Sequence, residues 1–270
     1  MKNNINLMAI QMSSELGEKE KNINKVKYLI ENNIRPNTDI IILPEVWTVG
    51  WACKYFENSA EDIEDSNIIK FLSNLAIKHN VNIIGGSFIS RKHNKLYNTC
   101  PVINRKGELV ATYDKCHLFS YYGDTEGSIV EKGTSPVIVD IEGIRTGLSI
   151  CYDIRFPELY RSYALKGVDL MINAAAWGIK KEIPWVSMTH SRAVENQCYF
   201  VALTQSGAIE NNDYNLGKSY IIDYKGDNLA EITQGEGAIF AELNFNEQQL
   251  FREKCTVLKD IHEKYEVREI

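Results

Sequence analysis

The chain has 270 residues, a formal net charge of -6, 44% hydrophobic and 24% charged residues. That is enough chain to bury a large core without staples, and the acidic balance works against binding a polyanion such as nucleic acid. No stretch is long and apolar enough to span a bilayer, and the six cysteines, Cys53, Cys100, Cys116, Cys151, Cys198 and Cys255, form no CxxC pair.

The opening "MKNNINLMAIQMSSELG" has one lysine and an apolar run broken by Gln11, which is no signal peptide. A cytoplasmic protein with reduced thiols is expected. The run Ile5 to Met12 predicts a strand. A helix follows, with Ile23, Val26, Ile30 and Ile34 at helical spacing, broken at Pro36-Asn37-Thr38. Asp39 to Leu43 predicts a short buried strand that runs into Pro44-Glu45. Ser66 caps a second helix with an apolar face of Ile68, Phe71, Leu72 and Leu75, ending at Asn80. Val81 to Ile89 predicts the next strand, and this β-α-β-α-β order argues for α/β layering.

Helices then pause. "CPVINRKGELVATYD" predicts a hairpin turning at Lys106-Gly107, and "VIVDIEGIRTGLSICYD" a strand pair around Glu142-Gly143. A helix is expected from Pro157 to Leu165, with proline in its first turn and Gly167 past its end. "VDLMINAA" reads as a buried strand, about Pro184 to Asn196 as a helix, and "CYFVALT" as another strand. "YIIDYKGDNLAEI" predicts a last hairpin at Lys225-Gly226, and a helix is expected in the polar segment from Asn246. No linker or low-complexity run divides the chain, so residues 1–270 are expected to form one domain.

Most motif classes fail. The histidines His79, His93, His117, His190 and His262 form neither HxH nor HExxH, so no metal is expected. No glycine-rich phosphate loop follows a strand, and Gly85-Gly86 reads better as a close packing point in a sheet. What remains is three strand ends carrying reactive groups: "IIILPEVW" ends in Glu45, "VATYDKCHLF" near Lys115, and "TGLSICYD" in Cys151. In layered α/β folds functional groups gather outside the carboxyl ends of strands. Taken singly, Glu45 could cap a turn, Lys115 could be a solvated charge and Cys151 a small core hydrophobe. Taken together they suit one cleft: a thiol nucleophile whose pKa a nearby cation lowers, a carboxylate that shuttles protons, and an ammonium that holds an oxyanion.

These motifs, "LPEVW", "YDKCHLF" and "GLSICYDIRFPELYR", resemble those of the carbon–nitrogen hydrolases of the nitrilase superfamily, in the same order and at similar separations, over nearly the whole chain. The resemblance implies a four-layer αββα sandwich that dimerises, or forms higher homo-oligomers, across the face carrying the nucleophile. It implies Glu45 as general base, Lys115 as oxyanion-stabilising lysine, Cys151 as nucleophile and the Tyr152 N–H as a further oxyanion donor. A second glutamate is implied between the lysine and the cysteine. Glu126, seven residues before Gly133, matches the usual spacing, and Glu131 competes with it.

Nitrile-cleaving members follow the cysteine with Trp-Glu, whereas Tyr152-Asp153 here is similar to amidases, most of all to the omega-amidase group. That group hydrolyses the terminal amide of 2-oxo dicarboxylic acid monoamides. Its Trp-Pro-x-x-Arg pattern becomes Trp177-Gly178-x-x-Lys181, with Trp185 kept. The resemblance therefore implies Tyr152, Trp177 and Lys181 as substrate-binding residues, Lys181 without the bidentate fork of arginine. Arg192, Glu195 and Asn196 read as structural. The expected partner is a small-molecule amide, with no nucleic acid, membrane or cofactor. Three rival readings stay open: an N-carbamoyl amine hydrolase, a cysteine enzyme with His117 or His190 as base, and a silent binding subunit.

Overall fold

The computed structural model describes residues 3–120, 126–262 and 266–269. Strand β1 (Asn4–Gln11) leads through helix α1 (Lys19–Asn33) to β2 (Ile40–Ile42). A one-turn helix α2 (Phe56–Ser59) and β3 (Glu61–Asp62) precede α3 (Asn67–His79). Then come β4 (Asn82–Ile84), β5 (Phe88–Lys92), β6 (Lys95–Ile103) and β7 (Leu109–Asp114). The second half runs β8 (Ile138–Ile141), β9 (Ile144–Ile150), α4 (Pro157–Leu165), β10 (Leu170–Ala175), α5 (Glu182–Asn196) and β11 (Tyr199–Thr204). It closes with the small hairpin β12 (Ala208–Ile209) and β13 (Asp213–Tyr214), then β14 (Ser219–Ile222), β15 (Asn228–Ile232), β16 (Gly237–Asn244) and α6 (Phe245–Lys254).

Among the described residues the strands make two large sheets. One has the order β16-β1-β2-β4-β6-β5-β3 with β7 on β6, and the other is β15-β14-β11-β10-β9-β8. The alternation of side chains along a strand explains how they stack. In β1, Ile5, Leu7 and Ala9 enter a core shared with Leu148, Ile150, Leu170 and Ile172 of the second sheet. Met8 and Ile10 face the other way, onto Val26, Leu29 and Ile30 of α1 and Ile68, Leu72 and Leu75 of α3. On the far side Tyr160, Tyr163 and Trp185 of α4 and α5 close over the second sheet. The result is helix, sheet, sheet, helix: the four-layer αββα sandwich.

Local chemistry ends the elements where expected. The Ser66 side chain accepts the Ile69 N–H at the start of α3, a cap of about 1 kcal/mol, and Asn80 closes that helix in the left-handed region. Three departures stand out. The expected strand Val81–Ile89 is two strands, β4 and β5, both antiparallel to β6 and parted at Gly85-Gly86-Ser87. Helix α5 begins at Glu182 rather than Pro184, because proline is tolerated in a first turn. Strand β16 was not foreseen; it pairs antiparallel with all of β1 but buries only Ile239 and Leu243, so its pattern in sequence is weak.

Candidate active site

The parallel strands β1, β2 and β4 of the first sheet and β9, β10 and β11 of the second deliver their carboxyl ends to one edge of the sandwich. Glu45 follows β2 there and is wholly buried. Its Oε1 accepts from Lys115 Nζ at 2.8 Å and Asn98 Nδ2 at 2.9 Å, and its Oε2 from the Ala176 N–H at 2.8 Å. The Glu45 carbonyl accepts from Gln205 Nε2 at 2.6 Å, so both sheets grip this one residue. The turn carrying it is seated on Gly85-Gly86-Ser87: the Val46 N–H donates to Ser87 Oγ, and a Cβ at Gly86 would lie 1.9 Å from the Pro44 carbonyl oxygen. The twin glycines therefore serve close packing, directly beneath Glu45.

Lys115 follows β7 and is also fully buried. Its Nζ donates to Glu45 and, at 2.8 Å, to Glu126 Oε2, and lies 4.9 Å from the Trp51 ring centre. Glu126 is buried and accepts from Asn98 Nδ2 and the Phe119 N–H. Glu131, its competitor, faces outward and pairs with Lys95. Gly133 lets the intervening segment close in: its N–H donates to the Lys115 carbonyl, and a Cβ there would meet the Asp114 carbonyl oxygen at 2.0 Å.

Cys151 caps β9 with a φ of 45°, a left-handed conformation that costs a non-glycine residue free energy and points to a built elbow. The wholly buried Asp153 holds that elbow by accepting the Ile150 N–H at 2.9 Å. Asn173 Nδ2 donates to the Cys151 carbonyl at 3.4 Å and to Ser149 Oγ at 3.0 Å.

Electrostatics set the resting state. Burial pushes the Glu45 carboxyl above the ordinary carboxylate range, with Lys115 opposing and Glu126 adding to the rise. Burial also opposes the Lys115 charge, but Glu126 and Glu45 outweigh it and hold the ammonium well above the usual lysine value. Burial, then the charge of Glu45, drives the Cys151 thiol well above its usual value, and Lys115 only partly offsets them. The lysine does act to lower the thiol, as expected, but two carboxylates and desolvation outweigh that one cation. At rest the site holds a thiol beside a hydrogen-bonded carboxylate.

The expected binding residues fall around this centre. The Tyr152 ring meets Phe119 edge-on at 5.5 Å, and Lys181 Nζ lies 5.0 Å over the same Phe119 ring. Trp177 directly follows Ala176, which bonds Glu45, and its Nε1 donates to the Lys181 carbonyl. Trp185 packs behind Trp177 at 5.2 Å. Sequence reasoning passed over Arg155, whose guanidinium lies 5.2 Å from the Trp177 ring and 5.7 Å from Tyr152. It also missed Asn98, which bridges both buried carboxylates; the only hint was a polar Asn-Thr pair inside the apolar run "LYNTCPVI".

The two histidines named as rival bases have other partners. His117 Nδ1 pairs with Asp153 at 2.7 Å, and His190 bonds the Val186 carbonyl and Asn228. Among the described residues no group of three His, Cys, Asp or Glu side chains is placed to hold a metal ion.

Comparison with known proteins agrees with this architecture. The carbon-nitrogen hydrolase family profile matches residues 7–253. The chain is 32% identical over 255 residues to the 2-oxoglutaramate amidase of Bacillus subtilis, covering 94% of this chain and 96% of that one. It is 30% identical over 268 residues to omega-amidase NIT3 of Saccharomyces cerevisiae, covering 94% and 92%. The crystal structure of Saccharomyces cerevisiae Nit3, described as a member of branch 10 of the nitrilase superfamily, superimposes with a TM-score of 0.84 at 29% identity, covering 93% and 94%. With the match spanning almost the entire chain, from β1 to α6, the protein belongs to the carbon-nitrogen hydrolase family of the nitrilase superfamily and is a hydrolase of non-peptide carbon–nitrogen bonds.

Proposed function

We propose that the protein hydrolyses the amide of a small carboxylate-bearing compound to the acid and ammonia through a thioester on Cys151. The observation that carries this reading is the dry cluster in which Lys115 bonds both Glu45 and Glu126, with the buried Cys151 thiol close enough to feel the charges of Glu45 and Lys115.

The cycle follows from those contacts. Glu45 takes the thiol proton as sulfur attacks the amide carbonyl, so charge passes from carboxylate to substrate oxygen. Lys115 and the Tyr152 N–H hold that oxyanion, and removing one such donor costs about 3–4 kcal/mol of barrier. Glu45 returns the proton to the departing nitrogen, and ammonia leaves. Water, deprotonated by Glu45, then attacks the thioester, and the acid leaves as sulfur regains its proton. Splitting one hard substitution into two easier ones is the gain of covalent catalysis. Glu126 keeps Lys115 charged and aimed.

Lys181 and Arg155 place two cations among the aromatic rings around Tyr152, which suits a substrate carboxylate. The printed names of the relatives, 2-oxoglutaramate amidase and omega-amidase, favour the same class. We also read residues 1–270 as one domain and the exposed Leu165, Ile183 and Val194 on α4 and α5 as a homodimer face; light scattering tests the latter.

The test is ammonia release from omega-amides of 2-oxo dicarboxylic acids, with Cys151→Ala as control. Turnover that disappears in the variant, with an acyl adduct on Cys151 seen by mass spectrometry in the native enzyme, supports the reading. Full activity in Cys151→Ala overturns it.

A further inference from the structure

Lys115 and Cys151 come from different sheets, so something must fix the distance between them. The residues two places before and two places after Lys115 both bond a single carboxylate, and that carboxylate lies two residues after Cys151. Tyr113 Oη donates to Asp153 Oδ2 at 2.6 Å, the same oxygen that accepts the Ile150 N–H at 2.9 Å. The His117 N–H donates to Asp153 Oδ1 at 2.9 Å, and His117 Nδ1 meets that oxygen at 2.7 Å. Tyr113 Oη also accepts the Cys116 N–H at 3.2 Å.

We propose that Asp153 is a positioning residue: a buried carboxylate that ties the Lys115 segment to the Cys151 elbow and so sets the oxyanion donor against the nucleophile.

The chemistry of the carboxylate is specific to this task. An ionised carboxylate only accepts, and here four donors converge on it, two on each oxygen. Burial, and then the charge of Asp153, keep the Tyr113 phenol protonated and donating. An asparagine at position 153 would turn an N–H donor toward one of these donor pairs, leaving the Ile150 or the His117 N–H unpaired. Stacking of His117 on Phe156 at 3.7 Å, with the planes 12° apart, holds the imidazole flat against the turn that follows the cysteine. The Glu45 carboxylate takes its hydrogen bonds from Asn98, Lys115 and Ala176 and not from these side chains, so the tie acts through geometry and not through proton transfer. It rests on the amidase reading for its catalytic consequence, but not for its structural one.

The test compares two buried tyrosines. Tyr113→Phe removes one arm of the tie. Tyr163→Phe removes a phenol bonded to the Leu148 carbonyl and the Val137 N–H, outside the site. A misplacement on the ångström scale costs about 10²-fold in rate, so Tyr113→Phe is expected to lose about 10- to 100-fold in kcat with KM within about twofold. Tyr163→Phe is expected to melt at a comparably lowered temperature with kcat within about twofold. Asp153→Asn should exceed Tyr113→Phe in its kcat loss, and where that variant fails to fold the tyrosine pair still decides.

Equal kcat losses in the two tyrosine variants, or none in Tyr113→Phe, overturn the proposal. Alkylation of Cys151 by iodoacetamide supplies an arm independent of turnover. It should slow about tenfold or more in Tyr113→Phe and stay at the native rate in Tyr163→Phe, because thiol activation needs the elbow in register. Native protein that releases no ammonia overturns the amidase reading alone, and the alkylation arm then still tests the tie.

Discussion

Lys115 Nζ and Glu45 Oε1 lie 2.8 Å apart with neither side chain exposed to solvent, and Glu126 completes the group from the other side. Two carboxylates share one cation in a dry site, so the lysine is a structural requirement as much as a chemical one. Lys115→Met leaves both carboxylates buried and uncompensated. Breaking a buried pair in this way costs about 3–5 kcal/mol. Urea unfolding at neutral pH should show that loss, with part of it recovered in mild acid, where the carboxyls take up protons. An unchanged unfolding midpoint would show that the charges are not coupled as drawn.

Burial holds the Glu45 carboxyl above its ordinary range. A protonated Glu45 cannot accept the thiol proton. The acid limb of kcat/KM should therefore fall above the ordinary glutamate value of about 4.3. Glu45→Gln should lower kcat by about 10²-fold or more and abolish that limb. A limb at the ordinary value, or one that survives in Glu45→Gln, assigns the titration to another group.

Gly86 offers a test of the scaffold beneath Glu45. It adopts a φ of 61°, and a Cβ would sit 1.9 Å from the Pro44 carbonyl oxygen. Gly86→Ala must displace the Pro44-Glu45 turn, so activity should fall about 10²-fold along with stability. Gly167 is the control: its φ is 71° but nothing lies within 4 Å of a Cβ. Gly167→Ala should cost about 1–2 kcal/mol of stability and leave kcat unchanged. Equal kcat losses in both would mean that strain, and not the clash under Glu45, is responsible.

The parts legible in the sequence are those with short-range signals. Apolar runs, helical periodicity and the turns at Gly107, Gly143 and Gly226 locate most elements, and the strand ends at Glu45, Lys115 and Cys151 draw attention to one edge. The contacts that organise the site are long-range and polar. Asn98 touches Glu45 across 53 positions, and Gln205 reaches its carbonyl across 160. Gln205 carries no local pattern, and Asn98 carries only the polar Asn-Thr pair within an apolar run. Asp153 was visible only as part of a motif; its four donors come from three residues, Ile150 in its own stretch and Tyr113 and His117 in a distant one. Strand β16 escaped notice because only two of its eight residues are buried in the core.

Alkaline conditions should unfold the protein early. Burial pushes the Cys100 and Cys198 thiols up to about 12, and the Cys151 thiol, Tyr113 and Tyr160 also rise. Each raised group keeps its proton in the folded state after the unfolded chain has lost it. Its stabilising contribution is therefore fully present below the unfolded value and is lost as pH rises toward the folded one. Above the free thiol value of about 8.5, each buried thiol should remove about 1.4 kcal/mol per pH unit. Melting temperatures measured from pH 7 to 10 should fall progressively, and Cys198→Ala should flatten part of the slope. A flat profile would contradict the burial of these groups.

We propose that Lys181 is the cation with which the site reads a substrate carboxylate. Its Nζ lies over the Phe119 ring, which meets both Tyr152 and Trp51, and Trp51 in turn covers Lys115. An ammonium held there can meet the far end of a short substrate whose amide lies at Cys151. A charge-assisted contact of this kind contributes about 1.5–3 kcal/mol, or at least about tenfold in binding. Lys181→Ala should therefore raise KM at least about tenfold for a carboxylate-bearing amide and leave a neutral aliphatic amide of similar length unaffected. Lys181→Arg should restore the preference, because the charge returns. The quantity to follow is the ratio of kcat/KM for the two substrates. A ratio that stays constant in Lys181→Ala would remove Lys181 from substrate recognition and leave Arg155 as the cation to test by the same ratio.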